Sequence, residues 1–340
     1  MYMSKPIITG IMAYGMSGRI FHAPFIAPNP AFKLKAVVER HEKKAAKTYP
    51  GIISYNAVDD LLHDDEIELI IVNTPNYLHF EHAEQALHAG KHVLIEKPCA
   101  ATVAEVKELY DLGRKLNLHV MVYQNRRYDS GFLSTKEVIE SGKLGELIEV
   151  HFRLDRYKAA IGPKLFKEKK DMPAAGLVYD LGAHLVDNAI SLFGKPLSFD
   201  RVTSIHREGS EVPDYFSYRL TYPNQLNVYL TSSMLTVEPQ AGFVINGTVG
   251  SFIKNRADVQ EDQLDKGMLP TDPAYGFEPE GNEGKLVTIG VDGTKTTEMI
   301  PGKKGCYEHI FEAVHHTIRD NALFPVTEEQ IAWQIELLEN

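Results

Sequence analysis

The first third of the chain alternates short apolar runs with segments rich in helix-forming residues. The runs are apolar at consecutive positions, which is typical of strands buried on both faces of a parallel sheet. Because strands and helices alternate, the pattern predicts an α/β fold built on a doubly wound parallel sheet. The predicted strands are Ile7–Met12, Leu34–Val38, Ile67–Val72, His92–Ile95 and Leu118–Tyr123, and the predicted helices are Glu42–Lys47, Tyr77–Ala89 and Thr102–Asn117.

Further along, apolar residues recur at every second position, which indicates strands with one buried and one solvated face. The change of period near Tyr123 predicts two domains, residues 1–123 and 124–340, and makes the second an α+β domain with a mainly antiparallel sheet. The segment Leu264–Gly284 is rich in Gly, Pro and Glu and is predicted to be one long surface loop. The alternating apolar residues include Ile148, Val150, Phe152, Leu154, Phe216, Tyr218, Leu220, Leu226, Val228 and Leu230.

Composition narrows the class of protein. The chain has 340 residues and a formal net charge of −10, from 36 Lys and Arg against 46 Asp and Glu. An acidic chain is a poor nucleic-acid binder, because neutralising phosphates supplies most non-specific affinity. The two cysteines, Cys99 and Cys306, make no disulfide framework, and no apolar run reaches the length of a membrane helix. We therefore expect a cytoplasmic protein with a small-molecule ligand and neither a nucleic-acid nor a membrane partner.

A glycine-containing turn follows the first predicted strand. Ala13, Gly15 and Gly18 occupy the three positions of the G-x-G-x-x-G fingerprint, which places backbone amides near a pyrophosphate at a helix N-terminus. Ala13 replaces the first glycine, so its backbone needs a compatible φ. The position between a strand and a helix favours a dinucleotide-binding Rossmann turn.

The end of the second strand carries groups that could select the cofactor. Glu39 stands where an acid commonly binds the ribose hydroxyls, which favours NAD. Arg40 and His41 follow directly, and an arginine here could stack on adenine or bind a 2′-phosphate. Both NAD and NADP remain open, with Glu39 favouring NAD. A solvated basic face is an equally good interpretation of the cluster.

Two further segments carry candidate chemistry. Lys97, in Glu96-Lys97-Pro98, follows a strand and so lies at the carboxyl edge of the sheet, where α/β folds bind ligands. As a helix, Tyr179–Asp187 would place Asp180, His184 and Asp187 on one polar stripe. His184 is then a candidate general base tuned by Asp180. The alternatives are a solvated helix face, or a metal site that lacks a further obvious ligand; we expect no metal.

Together these segments resemble the Gfo/Idh/MocA oxidoreductases, which include glucose–fructose oxidoreductase and inositol dehydrogenases. The resemblance is nearest to the branch of bacterial scyllo-inositol dehydrogenases. It rests on five motifs in the same order, Ala13–Phe25, Asn73–His79, Glu96–Pro98, Gln124–Asp129 and Tyr179–Asp187. The chain departs from that branch at Ala13, at Phe166-Lys167 in place of a Trp-Arg pair, and at Ala174-Ala175-Gly176.

The resemblance implies a Rossmann domain followed by a domain with a large open sheet that forms homodimers or higher oligomers. It implies hydride transfer between NAD or NADP and a secondary hydroxyl of a polyol, inositol or sugar. The implied catalytic residues are Lys97, His184 and Asp180, and the implied substrate-binding residues are Arg126, Tyr157, Asp180 and His184. The cofactor-binding residues are expected to be Ala13, Tyr14, Gly15, Met16, Ser17, Gly18, Glu39, Arg40, Asn73, Thr74, Pro75, Asn76, His79, Glu96, Lys97 and Asn125.

Two alternatives stay open. One is a non-catalytic dinucleotide-binding regulator similar to the Gal80-type transcriptional repressors, against which the presence of both Lys97 and His184 argues. The other is reduction of an unsaturated or imine substrate, as in proteins similar to biliverdin reductase, which has less need of His184.

Overall fold

A computed structural model describes residues 5–256 and 259–339. The chain forms two compact units, each assembled from separated segments. The first contains the residues up to Gln124 together with Glu261–Pro273 and Tyr307–Ala332, and the second contains Asn125–Gln260, Ala274–Cys306 and the residues from Trp333 onward.

The strands and helices follow the order expected of two successive sheets. The strands are β1 (Ile7–Ile11), β2 (Phe32–Val38), β3 (Ile53–Tyr55), β4 (Leu69–Val72), β5 (His92–Glu96), β6 (Val120–Tyr123), β7 (Leu147–Arg153), β8 (Ser198–Ser204), β9 (Tyr215–Thr221), β10 (Asn227–Ser233), β11 (Phe243–Gly247), β12 (Gly250–Lys254), β13 (Gly284–Ile289) and β14 (Lys295–Ile300). The helices are α1 (Ala23–Ile26), α2 (Ala45–Thr48), α3 (Val58–Leu62), α4 (His79–His88), α5 (Val103–Leu116), α6 (Ser130–Glu140), α7 (Ala183–Phe193), α8 (Val259–Asp265), α9 (Glu308–Asp320) and α10 (Glu328–Glu339). None of the described helices is long and apolar enough to cross a membrane.

The first unit is built on a six-stranded parallel sheet in the order β3-β2-β1-β4-β5-β6. All four residues of β4 are buried, which agrees with the continuous apolar run in the sequence. The strand order reverses between β1 and β4, so the carboxyl edge at this point forms the crevice where doubly wound folds bind ligands. The predicted Rossmann-type sheet is confirmed.

Capping residues fix both ends of α5, as the sequence predicts. The Thr102 hydroxyl accepts the Glu105 amide at 3.2 Å, and the Glu105 carboxylate accepts the Thr102 amide at 3.1 Å. This reciprocal pair satisfies backbone donors that the first helical turn leaves open. Asn117 ends the helix in the left-handed conformation at φ 58°.

The second unit is built on an eight-stranded sheet in the order β14-β13-β12-β11-β7-β10-β9-β8. Its strand pairs are antiparallel except β7 and β10, which are parallel. The predicted mainly antiparallel sheet is therefore confirmed. Along β9 and β10, alternate side chains are buried, as the period of two requires, whereas Ile148 near the start of β7 is 52% exposed.

The long loop predicted between Leu264 and Gly284 has no strand or helix after α8 ends at Asp265. Its part from Ala274 onward is nevertheless anchored within the second unit. Glu278 pairs at 2.7 Å with Lys254, whose side chain is fully buried at the end of β12, and accepts the Ser130 hydroxyl at 2.5 Å. A buried charge is tolerated only when it is paired, so this contact fixes the path of the loop.

Candidate functional site

The glycine turn after β1 is held by one side chain from the next strand of the sheet. The Asn73 amide accepts the backbone N–H of Ala13 at 2.9 Å and donates to its carbonyl at 2.7 Å. Ala13 is absent from the described residues with positive φ, so this position does not demand glycine. The departure from the fingerprint at Ala13 therefore leaves the turn intact.

The two glycines of this turn have different surroundings. A Cβ added at Gly15 would meet no atom within 4 Å, so the turn leaves open space there. A Cβ added at Gly18 would collide with the carbonyl oxygen of Ala13 and press on the Asn73 amide. Gly18 is thus needed for close packing, and Gly15 leaves room for a ligand to approach the backbone.

This difference predicts opposite outcomes for two matched variants. Gly18→Ala lowers the free energy of unfolding by about 1–3 kcal/mol, because backbone must move to admit the methyl group. Gly15→Ala leaves that free energy within about 0.5 kcal/mol of the parent but weakens dinucleotide binding by about tenfold or more, because the methyl group occupies the approach to the pyrophosphate. Urea unfolding and titration calorimetry measure the two effects. Equal nucleotide affinity in Gly15→Ala and the parent would rule out binding at this turn.

Glu39 is placed at the end of β2 as predicted, but its carboxylate is bound to protein groups. It accepts the backbone amides of Lys44 at 2.7 Å and Ala45 at 3.2 Å, and the Ser54 hydroxyl at 2.6 Å. The carboxylate thereby caps the N-terminus of α2 and is only 7% exposed. The groups that would bind ribose hydroxyls are already occupied.

Arg40, unlike Glu39, is not bound to protein groups that the structure describes. It is exposed, and it forms no hydrogen bond or ion pair with another residue that the structure describes. It lies on a cleft of about 490 Å³ between the ends of β1, β2 and β4. The cleft is lined by Met12, Ala13, Tyr14, Gly15, Val38, Glu39, Arg40, His41, Glu42, Lys44, Thr74, Pro75, Tyr77 and Leu78. Burial and the nearby Glu39 carboxylate raise the pKa of Tyr14, so its phenol stays neutral.

The turn Asn73–Asn76 borders the same cleft and is tied to the backbone around Lys97. His79 is buried, and its ring nitrogens lie 2.7 Å from the Pro98 carbonyl and 2.8 Å from the Thr74 carbonyl. The His79 ring therefore contacts two loops of protein backbone. The predicted cofactor role of His79 would have to act through those loops.

Glu96 and Lys97 end β5 at the same edge of the sheet. The Glu96 carboxylate accepts the Ser17 hydroxyl and lies 2.9 Å from His22 Nε2. Burial acts to raise the pKa of Glu96, but the hydrogen bond and charge of His22, with the Lys97 ammonium and Ser17, hold it below its usual range. Glu96 is therefore an anion at neutral pH, and Lys97 is half-buried beside it.

In the second unit, His184 lies at the start of α7, and the alternative of a solvated helix face is wrong. Every residue from Leu181 to Ile190 is buried, His184 included. The predicted stripe is also interrupted, because Asp180 lies in a wide turn, Val178–Gly182, ahead of the regular helix. Asp187 pairs with Arg127 through two hydrogen bonds of 2.9 and 2.7 Å, so its charge is used inside the unit.

The other predicted substrate residues of this unit lie in different surroundings. Asp180 is half-buried, and its carboxylate is 3.5 Å from the Lys167 ammonium. Arg126 is buried and donates to Asp129 at 3.1 Å, whereas Tyr157 is 58% exposed. The short turn Asn125–Tyr128, which carries Arg126, packs against α7.

The first unit thus brings the glycine turn, Arg40, the Asn73–Asn76 turn and Lys97 to one edge of its sheet. Asn125 lies in the second unit and Met16 is half-exposed on the glycine turn. Neither Lys167 nor His22 is among the predicted site residues. The Phe166-Lys167 replacement and the Ala13–Phe25 motif around His22 are the sequence signals that could have identified them. Among the described residues, no group of three or more His, Cys, Asp or Glu side chains could hold a metal ion.

Comparison with known proteins agrees with this arrangement. A family model described as "Oxidoreductase family, NAD-binding Rossmann fold" matches residues 7–124, and the GFO/IDH/MocA C-terminal domain matches residues 132–253. A solved structure of a putative oxidoreductase from Bacteroides fragilis superimposes with a TM-score of 0.88 at 36% identity, covering 98% of this chain and 96% of that one.

Two relatives extend the match over nearly the whole chain. An uncharacterised oxidoreductase of Schizosaccharomyces pombe is 38% identical, over 96% of this chain and 94% of its own length. The scyllo-inositol 2-dehydrogenase (NADP(+)) IolW of Bacillus subtilis is 33% identical, over 98% of this chain and 92% of its own. The chain therefore belongs to the Gfo/Idh/MocA family of oxidoreductases and carries an NAD(P)-binding Rossmann domain.

Proposed function

We propose that the protein is an NAD(P)-dependent dehydrogenase that acts on a secondary hydroxyl of a polyol, an inositol or a sugar. One observation carries the proposal most directly. The open space at Gly15 and the half-buried Lys97 lie at the same carboxyl edge of the parallel sheet, where a dinucleotide and a reacting group are both required. A relative that is named as a scyllo-inositol dehydrogenase supports the substrate class.

Each catalytic residue has a separate task in this proposal. The glycine turn around Gly15 would hold the dinucleotide, and the nicotinamide would supply the acceptor or donor of hydride. His184 takes the proton from the substrate hydroxyl, as a general base held on a buried helix. The Lys97 ammonium stabilises the negative charge that develops on oxygen during hydride transfer. Asp180 orients the substrate, and Lys167 limits the directions its carboxylate can take.

Absorbance of the reduced cofactor tests the proposal directly. The purified protein is offered inositols, aldoses and aldonic acids, with NAD and NADP supplied separately. Turnover of one polyol or sugar supports the proposal. Nucleotide binding by calorimetry with no turnover of any hydroxyl substrate would contradict it, and would favour the non-catalytic regulator or the reductase of an unsaturated or imine substrate.

We further propose that NADP is the preferred cofactor. The preference for NAD rested on Glu39, whose carboxylate is occupied by the start of α2 and by Ser54. Arg40 has no competing ion pair among the described residues and lines the cleft. A guanidinium can bind a phosphate through two hydrogen bonds, which suits the 2′-phosphate of NADP.

Arg40→Ala is expected to weaken NADP binding by about 10- to 100-fold, the worth of a charge-assisted hydrogen bond of about 1.5–3 kcal/mol. The Kd for NAD should change by no more than about twofold. Calorimetry with 2′,5′-ADP and 5′-AMP isolates the phosphate without any hydride chemistry. Lys47→Ala is the control, because Lys47 is exposed and pairs with Glu42. Equal losses for both nucleotides would remove Arg40 from the phosphate site.

We also propose that the open face of the eight-stranded sheet forms a homo-oligomer. Four outward side chains form a row across neighbouring strands: Tyr229, His151, Val244 and Ile253. The last of them, Ile253, is 47% exposed. Val244→Asp should convert the oligomer to monomers in sedimentation velocity, because a charge would be buried without a partner. Glu140→Lys, which changes an exposed charge on α6 and not on the sheet face, is the control. A monomeric parent protein would refute this assembly.

A further inference from the structure

His22 is a buried histidine to which the proposed reaction assigns no task. It ends the turn Gly18–His22 that follows the glycine motif, and its ring lies 4.6 Å from the Tyr123 ring and 6.2 Å from the Phe311 ring. Nε2 is 2.9 Å from Glu96 Oε1, while Nδ1 has no hydrogen-bond partner among the described residues. Among the described residues, Glu96 is thus the one hydrogen-bond partner of the His22 ring.

The Glu96 carboxylate contacts polar groups from different segments of the chain. Oε1 accepts the Ser17 hydroxyl at 2.9 Å as well as contacting His22, and Oε2 accepts the backbone N–H of Lys97 at 3.3 Å. An ionised carboxylate can only accept hydrogen bonds, so the proton on this contact must sit on His22 Nε2. The carboxylate therefore ties the glycine turn to the residue that carries the ammonium.

The backbone on the other side of Lys97 is also held. His79 Nδ1 lies 2.7 Å from the carbonyl of Pro98, and Nε2 lies 2.8 Å from the carbonyl of Thr74 in the turn that borders the cleft. Glu96 and His79 thus fix the main chain immediately before and after Lys97. Because a side chain starts from its Cα, fixing the backbone on both sides limits where the ammonium can lie.

We propose that His22 and Glu96 are positioning residues, which keep Lys97 in a fixed place relative to the dinucleotide on the glycine turn. Neither residue needs to contact the substrate. The inference rests on the proposed function for its catalytic consequence, but its effect on the glycine turn through Ser17 is independent of turnover.

His22→Phe tests the inference, because it removes the donor and keeps an aromatic ring among Tyr123 and Phe311. Burial then raises the pKa of Glu96. Among the described groups that face it, the Lys97 ammonium, the Ser17 hydroxyl and the Lys97 backbone N–H oppose that rise, whereas burial lowers the pKa of His79 and keeps its imidazole neutral. The ionised fraction falls about tenfold per pH unit below the new pKa. The ratio of variant to parent kcat should therefore lie below one, because the His22 contact is lost, and should fall further as the pH is lowered.

A second measurement separates this inference from the proposed function. The Kd for NADP is measured by calorimetry over the same pH range, and the variant-to-parent ratio should rise toward acid pH as the Ser17 anchor is lost. His22→Gln, whose amide can donate to Glu96, should restore both ratios. If the parent turns over no hydroxyl substrate, the proposed function fails and the Kd ratio alone decides the inference. A kcat ratio and a Kd ratio of one across the pH range in His22→Phe, together with an unchanged Kd in Ser17→Ala, would overturn it.

Discussion

Replacing His184 by asparagine is expected to lower kcat by about 10²–10⁴-fold, the usual contribution of a positioned general base. Asparagine keeps a polar group of similar size inside a buried helix, so α7 should remain folded. The Kd for the nucleotide should stay within about twofold of the parent, because the glycine turn lies in the other unit. Steady-state kinetics and calorimetry on the same preparation measure both quantities.

The split between kcat and KM gives this prediction a sharper test. A group that acts only in the transition state lowers kcat and kcat/KM equally, so KM for the substrate should change little in the variant. His206→Asn is the matched control, since His206 is exposed in the same unit and its ring nitrogen lies 2.7 Å from the Ser204 hydroxyl. Unchanged kcat in His184→Asn would show that another group takes the proton.

Much of the fold could be predicted from the sequence because burial leaves a local period. The continuous apolar run of β4 and the alternation in β10 both follow from which faces of each strand are covered. Two features leave no such trace. The segment Tyr307–Ala332 joins the first unit although it lies far along the chain, and β7 pairs in parallel with β10 inside an antiparallel sheet. Both depend on contacts between distant segments, which no local pattern encodes.

The candidate site divides in a similar way. The positions of Glu39 and Lys97 at strand ends could be predicted, because motif spacing fixes which loop a residue occupies. The helical position of His184 could also be predicted, but not that the regular helix begins only at Ala183. The direction in which each side chain points could not be predicted. The carboxylate of Glu39 turns to the amides at the start of α2, and that of Asp187 turns to Arg127. In each case a donor from another segment binds the carboxylate in place of solvent or a ligand. The sequence does not show which donor the fold will bring close.

Replacing Lys97 by methionine is expected to lower kcat by about 10²–10³-fold, the cost of removing one preorganised donor to a developing oxyanion. Methionine fills similar space without charge, so a half-buried position at the end of β5 should tolerate it. Lys97→Arg should recover little activity, because the guanidinium is larger and planar and its donors lie at different distances from the backbone.

Chemical rescue separates lost charge from lost structure. In Lys97→Ala, added ethylamine should restore part of kcat in a saturable way, because the small ammonium can enter the space that the side chain vacated, whereas ethanol should not. Lys107→Met is the control, since Lys107 is exposed on α5 of the same unit. If Lys97→Met retained full kcat but bound the nucleotide poorly, Lys97 would be a cofactor ligand only. The developing charge on the substrate oxygen would then be stabilised elsewhere, and the positioning role inferred for His22 and Glu96 would apply to cofactor binding alone.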